Sequence, residues 1–177
     1  MGDVLNLYGQ EITRAMTYLA EQENTVFVGQ SVKYDGQALF DTFSGVPMEK
    51  RLEMPVAEDF QMGFCIGLAL KGIVPISFYP RFDFLLLAAN QLVNHLDKIP
   101  LISGYRPKVI IRTAVGHTSP LDPGPQHTQD HTEAFRLMVN TVDIVTIDSH
   151  ETAFDKYIRI LANPNSVLVI EYMEKYR

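Results

Sequence analysis

The sequence predicts an α/β fold with a mostly parallel sheet covered by helices on both faces. Two observations carry that expectation. Short apolar runs alternate along the chain with longer segments of helical spacing. The short runs are continuously apolar rather than alternating, as strands buried on both faces must be.

The elements follow in order. Tyr8 to Gln22 is amphipathic, with Ile12, Ala15, Met16 and Leu19 on one face, and predicts the first helix. Thr25-Val26-Phe27-Val28-Gly29 predicts a short buried strand stopped by glycine. A polar connection through Tyr34-Asp35-Gly36 leads to a short helical segment near Gln37 to Phe43, and Arg51 to Met54 is a weak strand. An apolar helix is expected over Glu58 to Lys71, ended by Gly72. Ile73 to Phe78 predicts a strand, Asp83 to Leu96 a long helix, and Lys108 to Thr113 a further strand. Ala114 to Gln129 is an irregular loop and Asp130 to Met138 a helix. Strand 143–147, helix 150–161 and strand 166–171 complete the alternation. In such sheets ligands sit beyond the carboxyl ends of the strands. That rule points to three loops: Pro55 to Glu58, Tyr79 to Phe84 and Ala114 to His131.

Composition narrows the function. A chain of 177 residues predicts one domain, residues 1–177, large enough for a proper core. The net charge of −6 argues against a nucleic-acid binder, which needs a basic face. It also argues against a phosphate-rich ligand held by this chain alone. The single cysteine, Cys65, lies in an apolar run, which fits a packing role and a reducing compartment. Met1 to Gln10 has no basic start followed by an apolar run. The apolar stretches Phe64 to Leu70 and Phe84 to Ala89 are too short to span a bilayer. A soluble, cytoplasmic protein is expected.

The motifs are individually weak. No GxGxxG follows the first strand, there is no Walker A sequence, and no serine sits in a nucleophile elbow. His127 and His131 stand four apart, with His117 upstream, a spacing that can share a metal or face a substrate. Phe78, Tyr79, Phe82 and Phe84 can pack the core or form a stacking platform for a flat ring. Glu58 opens a helix too apolar for the surface. A carboxylate there is either a cap for the helix amides, a task that Asp59 could also perform, or a reagent.

Taken together these residues resemble the pyrimidine-binding domain of thiamine-diphosphate enzymes. The resemblance is nearest to the N-terminal domain of the beta subunit of pyruvate and branched-chain 2-oxo acid dehydrogenases, with transketolase more distant. It runs through Val26-Phe27-Val28-Gly29, Tyr34-Asp35-Gly36 and Pro55-Val56-Ala57-Glu58, and through Gly63, Gly67 and Gly72. It continues through Phe82-Asp83-Phe84, Asn90 to Asn94, Ser103-Gly104 and Ile111-Arg112-Thr113 to Gln126-His127-Thr128-Gln129 and Val169-Ile170-Glu171.

The resemblance implies the three-layer thiamine-diphosphate-binding fold. It implies that Glu58 hydrogen-bonds the ring nitrogen of the cofactor's aminopyrimidine, promoting deprotonation of the thiazolium carbon. It implies that Phe84 stacks on the aminopyrimidine and that His127 stands at the substrate end of the cleft for hydrogen bonding or proton transfer. Phe60, counted with the cofactor-binding residues, and the Gly63/Gly67 face match a surface that packs against a neighbouring subunit.

Three departures qualify these implications. The Gly-Asp-Gly…Asn motif that holds magnesium and the diphosphate is absent, so no metal ligand is assigned here and Mg2+ falls to a diphosphate-binding, alpha-type partner subunit. Beta subunits of this family continue into a further domain. Many also carry acids after the first strand, where this chain has Gln30 and Ser31. The expected protein is a pyrimidine-binding subunit of a split thiamine-diphosphate enzyme, a homodimer or heterotetramer acting on a small 2-oxo acid or transferring ketol groups. The alternative is a non-catalytic interaction or regulatory module that retains the fold.

Overall fold

The computed structural model describes residues 6–36, 39–119 and 122–176. Six strands form one sheet: β1 (Thr25–Gly29), β2 (Arg51–Glu53), β3 (Val74–Tyr79), β4 (Ile110–Val115), β5 (Asp143–Ile147) and β6 (Val167–Tyr172). Their order is β2-β1-β3-β4-β6-β5, and every pairing is parallel. Side chains alternate between two apolar layers. Phe27, Ile76, Phe78, Ile110 and Val167 join the layer under α1 (Leu7–Glu21) and α6 (His150–Ala162). Val28, Tyr79, Ile111, Leu168 and Ile170 join the layer under α2 (Glu58–Leu70), α3 (Phe82–Leu85), α4 (Ile99–Ser103) and α5 (Thr132–Met138). This is the expected three-layer α/β architecture, and it explains the unbroken apolar strands: neither face meets water.

The helix ends use local chemistry. Asn6 accepts from the Gly9 amide at 3.0 Å to start α1, and Ser149 accepts from Glu151 at 3.2 Å to start α6. Gly72 takes φ +83 just after α2, a conformation that glycine adopts without strain. Of the expected short helix near Gln37 to Phe43, a 3-10 turn is present over Phe40–Phe43, while Gln37 and Ala38 lie outside the described residues.

The expected long helix over Asp83 to Leu96 is instead broken in three. After α3 the chain tightens into a 3-10 turn at Leu86–Ala88 and then widens into a π-helix at Gln91–Leu96. The Asp97 amide bonds to the Leu92 carbonyl at 2.9 Å, the wide spacing of that helix. The widening ends at an anchor. The buried Asp97 carboxylate accepts from the amides of Asn140, Thr141 and Val142 at 2.8, 2.7 and 3.0 Å. Lys98 adds an ion pair at 2.6 Å.

Two further charges are buried in the sheet. Arg112 of β4 and Glu171 of β6 form a bidentate pair at 2.8 and 2.9 Å, both side chains fully buried. Burial opposes the Arg112 charge, but Glu171 outweighs it and keeps the guanidinium firmly protonated. Arg112 also donates to Thr42 at 3.0 Å and lies against the rings of Phe43 and Phe78. Tyr157 and Tyr176 donate to the Glu171 oxygens. Removing one partner of such a pair strands the other, at a cost of about 3–5 kcal/mol.

Among the described residues no helix is long and apolar enough to cross a membrane.

Asp97 sets an acid limit to the fold. Burial alone would push its carboxyl up, but Lys98 and the three amides outweigh burial and hold it well below the usual carboxylate range. The folded form therefore loses this contribution as pH falls, because the unfolded chain takes up the proton first. Asp97→Asn is expected to cost about 1–3 kcal/mol at neutral pH. It should also show a shallower loss of stability below about pH 5 than the wild type. Urea melts across that range measure both effects.

Candidate functional site

The chain leaves β1 toward β2 on one side and leaves β3 toward β4 on the other. Between the carboxyl ends of β1 and β3 the connections diverge, and a crevice opens at such a switch point. A cleft of about 290 Å3 lies there. It is lined by Gln30, Ser31 and Gly36 after β1, by Pro80, Arg81 and Phe84 after β3, and by Pro123 and His127 from the loop after β4.

Glu58 stands at the first turn of α2, only 5% exposed. Its Oε1 accepts from Gln30 Nε2 at 3.2 Å. Oε2 has no partner among the described residues. The cap at this helix is Ala57, which has no side-chain oxygen to offer, and Asp59 accepts from Gln91 at 3.3 Å. The Glu58 carboxylate is therefore not spent on its own helix. It reaches across to a residue of the cleft wall. Beneath it Gln61, fully buried, donates to Ser77 at 3.1 Å and to the Phe78 carbonyl at 3.0 Å, tying α2 to β3. The Tyr79 hydroxyl donates to the Glu58 carbonyl at 3.4 Å, and burial pushes that phenol far above its ordinary value.

Phe84 is half-buried on the opposite wall and meets His127 edge to face, with ring centroids 5.3 Å apart. The His127 Nδ1 is buried and has no hydrogen-bond partner among the described residues. The backbone under it approaches very closely: a Cβ added at Gly116 would fall 1.7 Å from the His127 carbonyl oxygen. Only glycine permits that approach.

The two histidines four apart do not converge. His131 turns away to pack edge-on against Phe82 at 5.5 Å, with its Nε2 3.8 Å from Asp83. His117 lies 3.7 Å from Glu174. Among the described residues no group of three or more His, Cys, Asp or Glu is arranged to hold a metal ion. Cys65 is packed in the core, and burial pushes its thiol up to about 12, far from a nucleophile's range. Phe60 does not reach the cleft within this chain. It is 59% exposed on the outer face of α2 and stacks on Phe64, and an added Cβ at Gly67 would meet open space.

One residue that shapes the site lies outside the sequence-based expectations. Glu53, the last residue of β2, accepts from the consecutive amides of Ser31, Val32 and Lys33 at 2.5, 3.0 and 2.8 Å. This carboxylate fixes the turn that carries Gln30 to Glu58, and Ser31 there has φ +52. The signal in the sequence is slight: a lone acid ending a weak strand.

No family model matches the chain. It is 24% identical over 174 residues to the 3-methyl-2-oxobutanoate dehydrogenase subunit beta of Mycobacterium tuberculosis, covering 94% of this chain and 49% of that protein. It is 26% identical over 170 residues to the mitochondrial pyruvate dehydrogenase E1 component subunit beta of Saccharomyces cerevisiae, covering 92% and 45%. Over nearly its whole length the chain is thus similar to the beta subunits of pyruvate and branched-chain 2-oxo acid dehydrogenases. It spans about half the length of the curated relatives it matches. Among solved structures, a split gene transketolase described as an inactive beta4 tetramer shares the fold of this chain. The TM-score is 0.69 at 15% identity, over 97% of this chain and 52% of that one.

Replacing Glu53 by alanine removes the carboxylate that accepts from three consecutive amides. Amide exchange at Ser31, Val32 and Lys33 is expected to accelerate roughly tenfold or more, the loss of about one net hydrogen bond or more. Exchange measured by NMR in the interior of β4 should stay unchanged.

Proposed function

We propose that this chain supplies the pyrimidine-binding half of a thiamine-diphosphate site, completed by a diphosphate-binding partner subunit that also holds Mg2+. The complex acts on a 2-oxo acid by decarboxylation, or transfers ketol groups. The observation that carries this reading is the Glu58 carboxylate. It is buried, held by Gln30 on one oxygen, and left with the other oxygen free beside a cleft walled by Phe84 and His127.

The residues present fit the group. Glu58 Oε2 can accept a hydrogen bond from a ring N–H, strengthened by the charge and the low exposure of the carboxylate. Phe84 offers a half-buried ring for stacking. The unpartnered His127 Nδ1 can hold or give up a proton at the far end of the cleft. Thiamine diphosphate, when bound, supplies the carbanion chemistry that breaks a bond next to a carbonyl.

The need for a partner is supported from two sides. Among the described residues nothing is arranged to hold a metal ion. The outer face of α2 leaves Phe60 exposed and Gly67 open, a shape suited to another helix in close approach. The names of the relatives support a 2-oxo acid dehydrogenase type of reaction, and the split gene transketolase supports a chain of this fold standing as a separate subunit.

The test reconstitutes the chain with a companion subunit carrying the Gly-Asp-Gly…Asn motif. Glu58→Gln should lower turnover by at least about a hundredfold, with circular dichroism and melting unchanged. Phe84→Ala should weaken thiamine-diphosphate binding several-fold, as expected from the loss of about 0.5–1.5 kcal/mol of stacking. Near-normal turnover by the Glu58→Gln complex would overturn the reading. Failure of the wild-type pair to bind the cofactor would favour a non-catalytic module.

A further inference from the structure

Arg81 stands just after β3 and lines the same cleft as Phe84 and His127. A guanidinium has five N–H donors. Among the described residues the one hydrogen bond of the Arg81 side chain runs from Nη1 to the carbonyl of its neighbour Pro80, at 2.8 Å. Among the described residues it forms no ion pair. Asp83 is the acid whose field it feels, yet the Asp83 Oδ1 is taken by Gln129 at 2.8 Å and lies 3.8 Å from His131. Burial lowers Arg81 below the ordinary guanidinium range, and Asp83 offsets only part of that.

The contrast between this half-buried arginine and the two buried ones is informative. Arg112 is neutralised by Glu171. Arg51 spends its donors on the carbonyls of Val46, Val32 and Phe43. Each engages all three of its guanidinium nitrogens, as a dehydrated charge requires. Among the described residues the Arg81 side chain engages one, and it lines the cleft.

We propose that Arg81 is the anion-recognition residue of this cleft, and that the substrate carries an oxyanion group that persists through the reaction. This rests on the reading of the cleft given above. The planar fork of donors suits the two oxygens of a carboxylate or a phosphate. The persisting group cannot be the carboxylate lost in a decarboxylation. A guanidinium fixed on that group would stabilise the ground state more than a transition state in which the charge is leaving, and so would slow the reaction. The group is therefore a second carboxylate on a 2-oxo acid, or the phosphate of a sugar. Both place a charge at the end of the substrate remote from the reacting carbonyl.

The test uses the whole chain with labelled arginine side chains, without thiamine diphosphate. The Arg81 Nε–Hε signal is followed by NMR against 2-oxoglutarate, inorganic phosphate and, as control, 2-oxopentanoate, which has the same carbon chain without the second carboxylate. Saturation by 2-oxoglutarate at least roughly tenfold below the control assigns a carboxylate tail, and saturation by phosphate in that range assigns a phosphate tail. Calorimetry should show the Kd for the responding probe rising roughly tenfold or more in Arg81→Gln, and less in Arg81→Lys, which keeps the charge. A signal that answers neither probe, or answers all three equally, overturns the proposal, as does an unchanged Kd in a folded Arg81→Gln. Because the cofactor is absent, a negative result here leaves the Glu58 assay standing. A failed Glu58 assay leaves this one readable.

Discussion

The Arg112–Glu171 pair is the constraint on which the rest of the molecule is built. It joins β4 to β6 inside the sheet, where β6 is inserted between β4 and β5 although β5 precedes it in the chain. Through Thr42 it reaches the 3-10 turn after β1, through Tyr157 it reaches α6, and through Tyr176 it reaches the last turn of the chain. Elements remote in sequence thus meet around one charge pair that water does not touch. Such a pair contributes little net energy, but the penalty for leaving either charge alone is severe. It therefore discriminates against wrong strand orders more than it stabilises the right one.

The same device recurs at smaller scale elsewhere in the fold. Glu53 gathers three amides of the turn after β1, and Asp97 gathers three amides ahead of β5. Each is an acid that collects three consecutive backbone amides and so fixes a turn, with Lys98 added as an ion pair at Asp97. Glu58 differs from both. Its partner is a single amide side chain, and one of its oxygens is left open. The division between carboxylates that hold a turn and one that holds a residue of the cleft wall is a division by type of partner.

The strands were legible because burial on both faces leaves an unbroken apolar record. The boundary misread at β4 has a physical cause. Lys108 was placed in the strand, but its ammonium turns to the carbonyls of Ile160, Asn163 and Asn165 at the end of α6, and the strand begins at Ile110. The long helix after β3 failed for a similar reason: the Asp97 anchor, not helical propensity, sets its last turn. Near the cleft, the proposals for Glu58, Phe84 and His127 come from a resemblance spread over the whole chain, and the structure places Phe84 and His127 in the cleft lining and Glu58 against Gln30. Gln30, Glu53 and Arg81 were not legible, because each acquires its meaning only when β1, β2 and β3 lie side by side. Arg81 between Pro80 and Phe82 looks like any surface cation until its lack of a partner is seen.

The close approach of Gly116 to the His127 carbonyl gives the loop after β4 a fixed clasp. Whatever lies between the two residues, the loop must return to the same point on the sheet for the imidazole to face Phe84. The intervening stretch can then vary in length and chemistry as a replaceable cassette, altering one rim of the cleft without displacing its histidine. A designer wishing to retune what this cleft admits has a defined insertion window, bounded by one position that tolerates only a hydrogen atom.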